Sequence, residues 1–164
     1  MLIQTNSRTY LFKIETTMQL NIRPATHADL PAVHELVREL AEYEREAHMF
    51  TTPLSVYMEN FAEGVFEAIV AEMEGRVVGM TLYYLTFSTW KGRMLYLEDF
   101  VVTPEFQRRG IGQQLFDAFL ARAKELRCSM VKWQVLDWNT EATRFYERNG
   151  ATVERQWWTC KIIF

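Results

Sequence analysis

Apolar positions along this chain switch between two spacings, and the switches mark its elements. Leu20-Asn21-Ile22-Arg23 alternates and stops at Pro24, which predicts a short first strand. Thr26 stands three residues before Asp29, a capping-box-like start with a carboxylate in the first turn. Leu30, Val33, Val37, Leu40 and Tyr43 then recur every three or four residues, predicting an amphipathic helix. A weaker helix begins near Thr52-Pro53, carries Leu54, Tyr57, Met58 and Phe61, and stops at Gly64.

The next run is β-type. Residues 66–71 and 77–87 are apolar strands around a Glu74-Gly75 turn, predicting a hairpin. A loop over residues 88–92 leads to a third long strand that includes residues 95–102 and is closed by Thr103-Pro104. Ile111, Leu115, Phe116, Phe119 and Ala123 return to helical spacing, and that helix ends near Leu126-Arg127. Residues 130–136 alternate as another strand, and Asn139 caps a helix through Phe145 and Tyr146 that Asn149-Gly150 stops. Residues 153–164 read as a final aromatic-rich strand. The order β-α-α-β-β-β-α-β-α-β predicts one α/β domain over residues 18–164, a mixed sheet covered by helices. Residues 1–17 are polar without a period and read as an extension, with Met18 an alternative start. A second reading makes residues 10–14 an extra edge strand or a contact with a neighbouring subunit.

Composition narrows the class. With 49% hydrophobic and 14% aromatic residues, the 164-residue chain can bury one sizeable core and is no disordered segment. A net charge of −3 argues against a general nucleic-acid binder. No apolar window is long enough to span a membrane, and the amino terminus lacks a signal-peptide core, so a cytoplasmic location is expected. Cys128 and Cys160 are too few and isolated for a disulfide framework or zinc site, and read as buried apolar thiols. His27, His34 and His48 have no partners at metal-ligand spacing and read as surface residues; no metal is expected.

Candidate chemistry centres on Gln107-Arg108-Arg109-Gly110-Ile111-Gly112, between a strand and a helix start. Free backbone N–H groups and the helix dipole converge there, and glycines let an anion approach. The spacing fits neither a P-loop, which needs Gly-Lys-Ser/Thr, nor a Rossmann fingerprint, which needs an earlier glycine. Two arginines at a helix start oppose the dipole unless an anion is bound. The turn therefore predicts a pyrophosphate site at the carboxyl end of a strand, where α/β proteins usually bind ligands.

The Gln-x-x-Gly-x-Gly turn, Asn139 and the segment from Phe145-Tyr146 to Gly150 together resemble the GNAT superfamily of acetyl-CoA-dependent N-acetyltransferases. Tyr96-Leu97-Glu98-Asp99-Phe100, Asp137-Trp138-Asn139, Ile22-Arg23-Pro24-Ala25-Thr26 and Glu39-Leu40-Ala41-Glu42-Tyr43-Glu44 are similar to its spermidine/spermine (diamine) N-acetyltransferase branch. The resemblance covers Met18 to Phe164. It implies a GNAT fold, with a mostly antiparallel sheet and helices on both faces. It also implies that Phe100, Val101 and Val102 bind the pantetheine arm of acetyl-CoA through their backbone. Gln107, Arg108, Arg109, Gly110, Ile111, Gly112 and Gln113 would hold the pyrophosphate. Asn139 would reach the cofactor, Tyr146 would protonate the departing sulfur, and Arg148 would meet the nucleotide phosphate.

For the acceptor, the resemblance assigns Tyr43, Glu44, Trp90, Glu98 and Asp99. Glu98 would be the base, acting through water. Strand alternation predicts that Glu98 and Asp99 point to opposite faces and do different jobs. Glu42, Glu44 and Glu46 read either as a solvated face or as an acidic rim for a cationic amine. The branch commonly places an acid before the loop tryptophan, whereas this chain has Ser88-Thr89-Trp90, so one anchor for a polyamine is missing. Trp90 with Tyr83-Tyr84 predicts a narrow pocket. The expected activity is direct acetyl transfer, without metal or covalent intermediate, to a small primary amine such as a polyamine, diamine or lysine/thialysine-like compound. Acetylation of protein amino termini or lysines, and a non-catalytic acyl-CoA-binding module, remain alternatives. Trp157 and Trp158 predict a homodimer contact.

Overall fold

A computed structural model describes residues 19–163. The predicted extension over residues 1–17, Met18 and the alternative strand at 10–14 lie outside the described residues. Five strands, β1 (Leu20–Pro24), β2 (Glu67–Met73), β3 (Arg76–Ser88), β4 (Gly92–Val102) and β5 (Met130–Lys132), form one sheet in chain order. All neighbours are antiparallel except β4 and β5, which are parallel. Four helices, α1 (Leu30–Tyr43), α2 (Leu54–Ala62), α3 (Ile111–Glu125) and α4 (Thr140–Arg148), cover it.

Side-chain alternation divides the core into two layers. Ile69, Ala71, Val78, Tyr83, Leu95 and Leu97 point to the face that α3 covers with Leu115, Phe116 and Phe119. Ala68, Val70, Met80 and Leu82 point to the other face and meet Val33 and Leu36 of α1, with Tyr57 of α2 alongside. The β2–β3 hairpin closes on Glu74 (φ 51) and Gly75 (φ 78), both left-handed, the turn whose twist matches antiparallel strands. The first helix enters through a 3-10 turn, His27–Asp29. Asp29 accepts the Thr26 N–H at 2.7 Å and two Arg23 guanidinium bonds at 2.7 and 2.8 Å, tying the end of β1 to the helix start.

Four sequence expectations are corrected. The strand predicted at 130–136 stops at Lys132, and no strand forms over residues 153–163. A β-pattern states that a segment can pair but not that an edge is available. Once residues 133–136 leave the sheet, the tail has no ladder beside it, and one side-chain bond from Gln134 to Thr159 joins the two segments. His34 is half-buried between the Phe50 and Tyr57 rings, each 4.9 Å away, and its Nε2 meets the Thr52 carbonyl at 2.9 Å. Cys160 is exposed, not buried.

Candidate active site

The parting of β4 from β5 creates the site. The parallel pair holds only where residues 94–96 meet residues 130–132. Beyond Tyr96 the strands diverge, leaving one edge of residues 97–102 without a described strand partner. Trp133 turns away to pack on Tyr146 at 4.9 Å and Phe116 at 5.6 Å. A cleft of about 760 Å³ fills the gap, with Phe100, Val101 and Val102 along one wall and Asn139 and Tyr146 along the other. An extended ligand arm can hydrogen-bond such an edge as an added strand would.

The glycine turn lies at one end of this cleft. Arg108 (φ 60) and Gly110 (φ 78) are both left-handed, and Gly110 is the amino-terminal cap of α3. Successive amides in such a conformation form a concave anion nest. The N–H groups of residues 108–113 find no acceptor among the described residues. A Cβ on Gly112 would sit 3.6 Å from Phe100 and 3.9 Å from Val102, ordinary contact distances. Close helix–strand packing therefore does not demand glycine there, whereas approach of a ligand to the backbone favours it.

The two arginines of the turn differ. Arg108 is exposed on the cleft wall, 4.0 Å from Glu141. Arg109 folds back over the Phe106 ring at 5.2 Å and donates to the Glu105 carbonyl at 3.0 Å. Gln107 donates its side-chain amide to the Val102 carbonyl at 2.8 Å, bracing the turn against β4. The Ile111 side chain is core, and that of Gln113 is bonded to Asn149 at 2.7 Å and Asp117 at 2.9 Å. Residues 111 and 113 can offer the cleft only main-chain groups. Arg148 is exposed and lines neither cavity.

Tyr146 is buried among Phe100, Phe116, Trp133 and Phe145 and reaches the cleft wall. Burial, then the nearby Glu44 charge, pushes its phenol up to about 12, so it stays protonated at physiological pH. The Asn139 side chain accepts the Ala142 N–H at 3.1 Å and fixes the start of α4.

A second cavity of about 680 Å³ lies between the α1–α2 side of the sheet and β4. Val37, Met49, Phe50, Val56, Phe66 and Leu82 give it an apolar wall, and Glu44, Glu46, Glu98 and Asp99 supply its charge. Glu98 and Glu44 line both cavities. Contrary to simple strand alternation, Glu98 and Asp99 line the same cavity. Leu82 opposes Asp99 while Tyr83 opposes Leu97, so Glu98 is the extra residue of a β-bulge. The bulge brings both carboxylates to one cavity. Glu98 accepts the Tyr84 hydroxyl at 3.0 Å. Asp99 accepts no bond from the described residues, and burial with the Glu98 and Glu44 charges pushes it up to about 7. Burial also raises Glu44, with Glu46 adding to the shift.

Tyr43 lines the larger cleft and packs on Trp138, with ring centroids 5.5 Å apart and planes tilted by 53°. Trp90 lines neither cavity and is 83% exposed on the 89–91 loop. Tyr83 belongs to the opposite core layer, so only Tyr84 of that pair faces the site. Sequence reasoning missed Arg76, which pairs with Glu105 at 3.2 Å and sits 5.6 Å over Phe106 at the rim of the cleft. It also missed Tyr57, pushed up to about 12 by burial and then the Asp99 and Glu98 charges. Neither carries a local signal, because each enters the site through strand register or helix packing.

A sheet that splays beside a helix start with six unclaimed amides has the architecture of an acyl-CoA-dependent transferase. The acetyltransferase (GNAT) family model matches residues 30–151, and the chain belongs to that family. It is 36% identical over 151 residues to thialysine N-epsilon-acetyltransferase of Bos taurus, covering 85% of this chain and 89% of that protein. It is 31% identical to spermidine/spermine N(1)-acetyltransferase-like protein 1 of Homo sapiens, over 84% of this chain and 21% of that one. An aminoglycoside N-acetyltransferase solved with CoA superposes with a TM-score of 0.74 at 17% identity, over 90% of this chain and 98% of that one.

Proposed function

We propose that this protein moves an acetyl group from acetyl-CoA directly to the primary amine of a small cationic molecule, a diamine, polyamine or lysine/thialysine-like compound. The observation that carries this reading is the continuity of the site. Unclaimed amides of residues 108–113 lead along the free edge of β4 to Tyr146 and the paired carboxylates of the bulge. The thialysine acetyltransferase relative acts on an amine of this class, as its name states. The acidic lining of the second cavity supports a cationic acceptor, because no Lys or Arg among the described residues lines it.

In this reading the amides and Arg108 hold the pyrophosphate, and the backbone of Phe100, Val101 and Val102 aligns the pantetheine arm. An alkylammonium titrating near 10.4 is only about one part in a thousand neutral at physiological pH, a gap of roughly 4 kcal/mol. One carboxylate of the Glu98–Asp99 pair takes its proton in a partly dry cavity, Glu98 being the one that the family resemblance singles out. A backbone N–H near Val101 polarises the thioester carbonyl, and Tyr146 gives a proton to sulfur. Holding both reactants in one cleft supplies much of the acceleration.

We further propose a homodimer formed through the aromatic tail, because Trp157, Trp158, Ile162 and Ile163 are exposed. No described helix is long and apolar enough to cross a membrane, and Cys128 and Cys160 are not paired with each other. A thiol-release assay over diamines, polyamines, thialysine, lysine and peptides tests the activity. Turnover with a small amine supports it. Turnover with peptides alone favours protein acetylation, and acetyl-CoA binding without any turnover favours a non-catalytic binding module.

A further inference from the structure

Two adjacent carboxylates share the acceptor cavity, and the bulge gives them unequal surroundings. Glu98, the inserted residue, is exposed and already accepts the Tyr84 hydroxyl at 3.0 Å. Tyr84 in turn stacks on Tyr96, with ring centroids 5.4 Å apart, so the donor is held in place. Asp99 has no such donor. It is half-buried, and it shares its cavity with Glu44 at the end of α1, Tyr57 of α2, Tyr84 of β3 and Glu98 of its own strand. Glu46 completes the charged lining of that cavity, and no Lys or Arg among the described residues lines it. A carboxylate without donors, surrounded by like charge and apolar wall, gains most by taking a proton.

We propose that Asp99, not Glu98, accepts the proton of the attacking ammonium, while Glu98, held by Tyr84, acts as a fixed negative charge that sustains Asp99's basicity. This rests on the transferase reading above. The ammonium N–H bond breaks and its proton goes to the Asp99 carboxylate, leaving the nitrogen lone pair free. That pair forms the C–N bond to the thioester carbonyl carbon. As the C–S bond breaks, the electron pair goes to sulfur, which takes the Tyr146 proton. The nitrogen, now carrying one proton too many for an amide, returns that proton to Tyr146 through water. Asp99 releases its own proton to solvent, so each turnover yields an N-acetyl amine, a thiol and one proton. The shift of Asp99 up to about 7 agrees with this division, since a base poised there is both free and strong near neutral pH.

The test is the pH dependence of kcat/KM for wild type, Asp99→Asn and Glu98→Gln, with acetyl-CoA binding measured on each to show an intact fold. Wild type should show an acid limb near pH 7. Asp99→Asn should lose that limb and fall by about 10²-fold or more at neutral pH. Its residual rate should follow the free-amine fraction as pH rises. Glu98→Gln should keep the limb but move it to lower pH, because a like charge is gone, with a smaller loss of rate. An acid limb that survives in Asp99→Asn, or vanishes in Glu98→Gln, overturns the assignment while leaving the transferase reading intact. A wild type without turnover on any amine overturns both.

Discussion

Gln113 and Asn149 exchange two side-chain amide bonds, at 2.7 and 3.3 Å, and so join the first turn of α3 to the end of α4. One helix begins at the proposed pyrophosphate turn and the other carries Tyr146, so the pair couples the grip on the cofactor to the position of the acid. Asn149→Ala leaves Gln113 with Asp117 as its remaining side-chain partner and frees the end of α4. The expected outcome is a loss of about 1 kcal/mol in stability. A several-fold fall in kcat should accompany it, with acetyl-CoA affinity nearly unchanged. Denaturant unfolding and steady-state kinetics check both, and an effect confined to KM for acetyl-CoA would contradict the coupling.

The two neighbouring arginines of the turn should behave differently. Arg108 is free to meet a phosphate, whereas Arg109 is committed to Phe106 and the Glu105 carbonyl. Arg108→Ala should weaken acetyl-CoA binding by roughly tenfold to a hundredfold, the range of a lost charge-assisted bond. Arg109→Ala should stay close to wild type. Calorimetry in low and high salt distinguishes them, because the Arg108 contribution should shrink with salt.

Removing the Tyr146 hydroxyl should cost turnover without costing affinity. Tyr146→Phe is expected to lower kcat by about 10²-fold. Because the phenol is pushed up to about 12, its donor form persists well into the basic range. The kcat profile should therefore show no Tyr146-dependent fall up to about pH 10, two units below that value. A basic limb near pH 9 that disappears in Tyr146→Phe would refute this.

Asp29 links the first strand to the first helix as a stability element. Its hydrogen bonds to Arg23, then those to Thr26, hold its carboxyl well below the usual range despite burial. A depressed folded value means that its stabilisation is complete above the unfolded carboxylate range and is lost as pH falls through and below it. Asp29→Asn should destabilise the protein by about 1–3 kcal/mol at neutral pH. The gap to wild type should narrow steadily below about pH 4. A pH-independent gap would show that the ion pair is not its source.

Local chemistry made most of the fold legible. Period-2 and period-3.6 spacing mark β1, α1, the hairpin and α3, and the Glu74-Gly75 turn and the Asn139 cap announce themselves by residue type. The bulge at Glu98 does not, because it is a property of register between two strands, and so the sequence argument separated two carboxylates that share a cavity. The tail fails for a related reason. Its alternation is real, but pairing depends on whether residues 133–136 stay in the sheet. Trp90 shows the same limit at a loop, where aromatic character says nothing about direction.

The central claim is that the amides of residues 108–113 grip a diphosphate. Titrating well-folded protein with acetyl-CoA and, separately, with S-acetylpantetheine, which lacks the diphosphate, tests it most directly. Saturable binding of one acetyl-CoA per chain, with S-acetylpantetheine at least about a hundredfold weaker, is the predicted result, because a charge-assisted phosphate site of this kind is worth roughly 3 kcal/mol or more. Equal affinities, or no heat with acetyl-CoA, would contradict it.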